Sequence, residues 1–239
     1  MRIEIIKCLQ DNFSYLIIDE ENNSACVIDP SEAEPVINYI EKFNINLKFI
    51  LNTHHHFDHI GGNKELKKKY NSKVIGFKKD ENRIPEIDIT LNDREIWKDN
   101  KFEAKIYHIP GHTSGHVCYH FFNQNNLFTG DTLFSLGCGR IFEGTYEQMF
   151  NSLQLLKSFP EDTKIYCGHE YTLKNSEFCI KHDKNNSALI EKIESIKEKL
   201  KKGFPTVPST IKEELDCNIF LRSKDVESFS KLRDLKDNF

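Results

Sequence analysis

Short apolar runs broken by turn residues dominate the chain up to about residue 168. RIEIIKC (2–8), FSYLIID (13–19), SACVID (24–29) and KFILNT (48–53) are rich in β-branched and aromatic residues and read as strands. FEAKIYHI, VCYHFF, LFTGD and TKIYCG supply a second set between residues 102 and 168. Two stretches carry helical spacing with a start signal. In SEAEPVINYIEKF (31–43), Ser31 and Glu34 form a capping-box pattern, and in TYEQMFNSLQLLKSF (145–159), Thr145 and Gln148 do the same. After residue 170 the strand signals stop, and SALIEKIESIKEKL (187–200) sets Leu189, Ile193, Ile196 and Leu200 on one helical face. The pattern predicts an α/β body over residues 1–170 and a helical domain over residues 171–239.

Composition narrows the functions open to such a chain. Its 239 residues suffice for one large domain, or a domain with an appendage, around a sizeable core. Acidic residues outnumber basic ones, 37 to 33, so no global positive field draws in nucleic acid or an anionic membrane. No run approaches the ~20 apolar residues needed to span a bilayer. MRIEIIKCLQ has neither the apolar run of a signal peptide nor an arginine-rich transit character. Seven cysteines, odd in number and never in a CxxC pair, read as reduced thiols of a cytoplasmic protein. The oligomeric state is left open, and a monomer is compatible with all of these features.

The chemistry concentrates in THHHFDHIGG (53–62), at the end of the strand KFILNT. Side chains alternate across extended backbone, so His54 and His56 project to one side and His55 to the other. Asp58 and His59 lie past the strand, where the turn into Gly61-Gly62 swings them back toward the same space. Three further polar residues sit just past predicted strands: His112 opens GHTSGH (111–116), Asp131 ends TGD (129–131), and His169 lies in CGHE (167–170). Sheet proteins assemble sites at such strand ends.

THHHFDH, GHTSGH, TGD and GHEYT, in that order, resemble the metallo-β-lactamase superfamily, and within it the glyoxalase II family, over the whole chain. The resemblance implies an αββα sandwich with a C-terminal helical domain and a binuclear metal site. It implies that His54, His56 and His112 hold one divalent ion and Asp58, His59 and His169 a second, with Asp131 bridging. Imidazole and carboxylate donors suit zinc, iron or manganese, and zinc is the default. Two such ions ~3.5 to 4 Å apart acidify a shared water, and the resulting hydroxide would attack a substrate carbonyl. Asp58 would orient that hydroxide or take its proton. A thioester suits this machinery, because a thiol of pKa ~8.5 leaves without a strong general acid.

The same resemblance implies a small-molecule substrate, a glutathione thioester such as S-D-lactoylglutathione. In GCGRIFEGT (137–145), Arg140 would meet a glutathione carboxylate, with backbone groups around Ile141 and Phe142 in support. Family members often carry lysine at the first of these positions and tyrosine at the third, and Phe142 cannot donate the hydrogen bond of a tyrosine. Tyr171 would set its phenol against the peptide part. In KLRDLKDNF (231–239), Arg233 and Lys236 share a helical face and would bind the glycine carboxylate. Other readings are a persulfide dioxygenase with one iron, a lactonase, a phosphodiesterase or nuclease, and a metal-storage protein without catalysis. The seven donors, the acidic balance and the Arg233/Lys236 tail weigh against the first three. A metal titration followed by a thioester assay separates the last.

Overall fold

The N-terminal strands form a sheet in the order β1 (Arg2–Cys8), β2 (Asn12–Asp19), β3 (Ser24–Ile28), β4 (Asn46–Leu51), β5 (Lys73–Phe77) and β6 (Ile89–Leu91). The first three strands are antiparallel, and β3 to β6 run parallel. Parallel neighbours need crossovers. Helix α1 (Ala33–Phe43) links β3 to β4, and α2 (Phe57–Ile60) and α3 (Asn63–Tyr70) link β4 to β5. The computed structural model describes residues 1–239 and divides the chain into two units: residues 1–108 with 115–123, and residues 109–114 with 124–239.

In the first unit, an antiparallel ribbon of β7 (Ile96–Asp99), β8 (Phe102–His108) and β9 (Val117–Phe121) covers one face of the sheet and helices cover the other. Two neighbours on β4 show the division. Ile50 joins Val36 and Ile40 of α1 and Leu66 of α3 in one core, whereas the Phe49 ring meets Trp97 at 5.0 Å and Phe102 at 6.5 Å. Cover on both faces explains why β2 and β3 are buried along their whole length and do not alternate.

The second unit holds β10 (Asn126–Gly130) parallel to β13 (Lys164–Cys167), with β14 (Ser209–Thr210) antiparallel on β13. A hairpin of β11 (Leu133–Phe134) and β12 (Gly137–Cys138) follows β10, and α4 (Tyr146–Lys157) precedes β13. Helices α5 (Thr172–His182), α6 (Ser187–Lys201), α7 (Ile211–Cys217) and α8 (Val226–Asp237) complete it. Strand β14 interrupts the stretch in which only helices and loops were expected.

The two expected capping boxes have different outcomes. Thr145 and Gln148 form theirs in both directions, at 3.1 and 3.0 Å. Ser31 and Glu34 do not: α1 starts after Glu32, with no side-chain cap bond. Ser31 is buried, its N–H donates to Ser14 Oγ at 3.1 Å, and the Glu32 carboxylate accepts from Leu9 N. A tertiary bond therefore takes the Ser31 N–H that the capping box would use. All seven cysteines are free and buried, and no helix is long and apolar enough to cross a membrane.

Candidate functional site

The histidine-rich segment is held by hydrogen bonds on several sides as it leaves β4. Asn52 N–H donates to Ile75 O, and Val117 N–H donates to Thr53 O at 2.9 Å, so the chain stays extended as it reaches His54. It then turns into α2, which carries Asp58 and His59 on a helical turn with His56 at its N-cap. Asn12 holds that turn from below, donating to both the backbone oxygen and Oδ2 of Asp58 at 3.0 Å. Asn52 and Asn63 exchange amide bonds at 2.7 and 3.3 Å, and Asn52 also donates to His59 O. The Gly61-Gly62 pair is required by close approach: a Cβ on Gly61 would lie 2.4 Å from Ser31 O.

Asp29 fixes the orientation of two imidazoles. Its Oδ1 accepts from Thr53 N–H at 2.7 Å, and its Oδ2 accepts from Thr53 Oγ1 at 2.6 Å and from His59 Nδ1 at 3.0 Å. With its hydroxyl proton committed to Asp29, Thr53 Oγ1 accepts from His54 Nδ1 at 3.0 Å. Both rings then carry their proton on Nδ1 and present an Nε2 lone pair, which is how metal-binding histidines are prepared. Asp29, His54 and His59 also place ligand-type atoms within 4.8 Å of one another. Since its carboxylate oxygens already accept from Thr53 and His59, Asp29 acts as the orienting group of this trio. The ring of His56 lies 4.7 Å from that of His54. His55 departs from the group as expected, its Nδ1 standing 3.4 Å from the buried carboxylate of Asp80.

The second unit gathers the downstream residues. Asp131, just past β10, sets Oδ2 3.5 Å from His112 Nε2 and 3.3 Å from His169 Nε2. His112 donates from Nδ1 to Arg140 O at 2.8 Å, so its Nε2 also offers a lone pair. Gly139 makes room for this arrangement, because a Cβ there would fall 1.9 Å from Asp131 O and 3.2 Å from His112 Nδ1. The segment from 139 to 145 is stitched to residues 111–114: Phe142 N–H donates to His112 O, Gly144 N–H to Gly111 O, and Ser114 N–H and Oγ to the Glu143 carboxylate. A donor set of imidazoles and carboxylates without thiolate, with three rings turned to present Nε2, fits a borderline divalent cation.

The residues expected to bind substrate are placed unequally. Arg140 and Phe142 are mostly exposed, Ile141 is partly so, and the Phe142 ring stands edge-on to His112 at 5.2 Å. Tyr171 stacks on His169 at 4.7 Å with rings 8° from parallel, and Phe134 meets it at 5.3 Å. Arg233, expected to bind the glycine carboxylate, is 3% exposed, donating from Nη1 to Cys138 O at 2.8 Å and from Nη2 to Asp237 at 2.8 Å. Lys236 is half-buried between the Phe178 and Phe239 rings and donates to Lys174 O. Burial, with Arg233 nearby, lowers its pKa to about 8. Arg222 pairs with Asp183, as suits a structural residue.

Two supporting groups escaped the sequence reading. Asp29 ends a strand just as Asp131 does, so the same strand-end rule applied to VIDP would have found it. Glu214 had no such signal. This fully buried carboxylate accepts from Leu136 N–H at 2.8 Å and Asn218 Nδ2 at 2.9 Å, while Asn218 also donates to Gly137 O. Leu136 has a left-handed φ of 60°, and these bonds hold it there, fixing the hairpin that carries Phe134 and leads into Gly139. Burial raises the pKa of Glu214.

Comparison with known proteins agrees with this architecture. The metallo-beta-lactamase superfamily matches residues 10–169, and the hydroxyacylglutathione hydrolase C-terminus matches residues 170–239. A hydroxyacylglutathione hydrolase of Pelagibacter ubique (strain HTCC1062) is 68% identical over 239 residues, covering 100% of both chains. One from Methylococcus capsulatus is 41% identical, covering 98% of this chain and 97% of its own. The crystal structure of ETHE1 from Myxococcus xanthus shares the fold with a TM-score of 0.75 at 24% identity, over 98% of this chain and 90% of that one. The expected αββα fold with a C-terminal helical region is thereby met, and the chain belongs to the hydroxyacylglutathione hydrolase family of the metallo-β-lactamase superfamily.

Proposed function

We propose that the chain hydrolyses the thioester of S-(2-hydroxyacyl)glutathione, with S-D-lactoylglutathione as the substrate and glutathione and D-lactate as products. The observation that carries this reading is full-length identity of 68% to a hydroxyacylglutathione hydrolase, tail included. His54, His56 and His112 would hold one divalent ion and Asp58, His59 and His169 a second, with Asp131 available to both. Zinc is the default occupant, and iron or manganese suits the same donors. When bound, the ions supply a water acidified to neutral pH and Lewis-acid stabilisation of the oxyanion that develops on the thioester carbonyl.

The protein supplies the rest. Asp29 and the carbonyl of Arg140 hold the rings of His59 and His112, and Asn12 holds Asp58 in place to orient the attacking water or accept its proton. Glutathione leaves as a thiolate, so no proton donor is required on the leaving side. Arg140 takes a glutathione carboxylate, Arg233 and Lys236 take the glycine carboxylate, Ile141 and Phe142 contribute backbone groups, and Tyr171 packs its phenol against the peptide. Residues 171–239 thus serve substrate binding, together with the 140–142 segment, and the rest of residues 1–170 the chemistry. Seven free, buried thiols support a cytoplasmic setting, where the reaction is the second step of methylglyoxal detoxification.

The persulfide dioxygenase and lactonase readings are not favoured by the full-length relation to hydroxyacylglutathione hydrolases. Metal-replete protein should hydrolyse S-D-lactoylglutathione and leave a simple lactone and a phosphodiester intact. Faster turnover of either control than of the thioester refutes the assignment.

A further inference from the structure

We propose that Asp237 is a built-in competitor for the substrate's carboxylate: it occupies the Arg140 and Arg233 cations in the free enzyme and yields them when a glutathione carboxylate arrives. This rests on the glutathione reading above and adds a residue outside it. A single oxygen, Asp237 Oδ1, lies 2.8 Å from Arg233 Nη2 and 3.4 Å from Arg140 Nε. The two arginines expected to hold a substrate carboxylate therefore already hold one.

Two physical facts make this contact more than a surface ion pair. First, the Arg233 guanidinium is almost wholly buried, with Nη1 on Cys138 O and Nε without a hydrogen-bond partner. A cation at that depth needs an anion against it, and Asp237 is the carboxylate in contact. Second, Asp237 is the last residue of α8, where the helix's own carbonyls disfavour negative charge. Local helix physics would place a cation there, and the acid is held instead by Arg233, one turn back on the same helix, and by Arg140 from a distant segment.

Accessibility differs across the cluster. The side chain of Asp237 is 36% exposed and that of Arg140 61%, against 4% for Arg233. A solute can reach the outer pair but reaches Arg233 only by taking the place of Asp237. Exchange of one carboxylate for another keeps the buried guanidinium paired, which water cannot do. The latch thus weakens glutathione binding by the strength of the contact it must give up, and its return helps to expel the product, which carries the same carboxylate.

The test is calorimetric titration of glutathione into metal-loaded wild-type, Asp237→Asn and Arg140→Ala proteins. Asp237→Asn should bind glutathione about tenfold more tightly, the scale of one charge-assisted hydrogen bond, and should lose that gain when the carboxylates of glutathione are esterified. Its melting temperature without ligand should fall and be restored by glutathione. Unchanged or weaker binding by Asp237→Asn, with Arg140→Ala still weakened, overturns the competitor and leaves the carboxylate subsite standing. No change in either variant overturns both. Carbon NMR of labelled aspartate in the unmutated protein gives a reading independent of any variant's folding: the Asp237 carboxylate resonance should move as glutathione is added, and a stationary resonance overturns the proposal.

Discussion

The surroundings of His54 and the surroundings of Arg140 are built on opposite plans. Around His54, the rings of His54 and His59 are buried and each is held by a named acceptor, with Asp29 tying Thr53, His54 and His59 into one network. In the other region, Arg140 and Phe142 are exposed, and the two arginines, Arg140 outside and Arg233 buried, are partnered by another charge, Asp237. The first region suits groups that must not move during reaction, because preorganised donors do no reorganising work. The second suits a ligand that must arrive and leave. Changes in the first region should therefore act on metal content and kcat, and changes in the second on KM.

The largest effect is expected at Asp131, the proposed bridge. Asp131→Ala should strip metal and lower kcat/KM by at least about 10³-fold, more than loss of a single oxyanion donor costs. Elemental analysis and steady-state kinetics check this, and a variant with normal metal content removes the bridging role. Asp29→Asn comes next. Without contributing a proposed ligand, it should weaken metal affinity by ~10- to 100-fold, measured by chelator competition, because His59 loses its anionic acceptor.

Lys236→Ala tests the other region and should raise KM for the glutathione thioester roughly tenfold, with kcat little altered. It also carries a pH signature. Burial, Arg233 and Lys174 lower the Lys236 pKa to about 8, while Cys179 and Glu177 oppose them. The ammonium that attracts a carboxylate is present below that value and lost above it, so wild-type KM should rise as pH passes through about 8, and the variant's should not. A pH-independent wild-type KM would remove Lys236 from the subsite. The smallest effect belongs to His55→Ala. His55 turns its Nδ1 to Asp80 and is not itself a proposed ligand, so metal content should stay within measurement error.

The same contrast explains what could be read from the chain. Ligand candidates were legible because each follows a strand: KFILNT delivers His54 and LFTGD delivers Asp131, and the alternation of extended backbone set His55 aside. Strand β5 was missed because its five residues, KVIGF, are too short to show a period, and its register comes from β4. The Ser31 cap failed because Ser14, seventeen positions earlier, claims its N–H. The spacing of Arg233 and Lys236 was legible, but not the burial of Arg233. That depends on where Cys138, ninety-five positions earlier, falls in three dimensions, which no local pattern records, whereas the Asp237 pair is a local i,i+4 contact.

The most direct test of the account is a zinc titration of chelator-treated protein in which bound metal and S-D-lactoylglutathione hydrolysis are followed together. If the proposed donors, five histidines and two aspartates, hold two ions, activity should appear in full only as binding approaches about two ions per chain. Full activity at one equivalent, or hydrolysis that persists without metal, would contradict it.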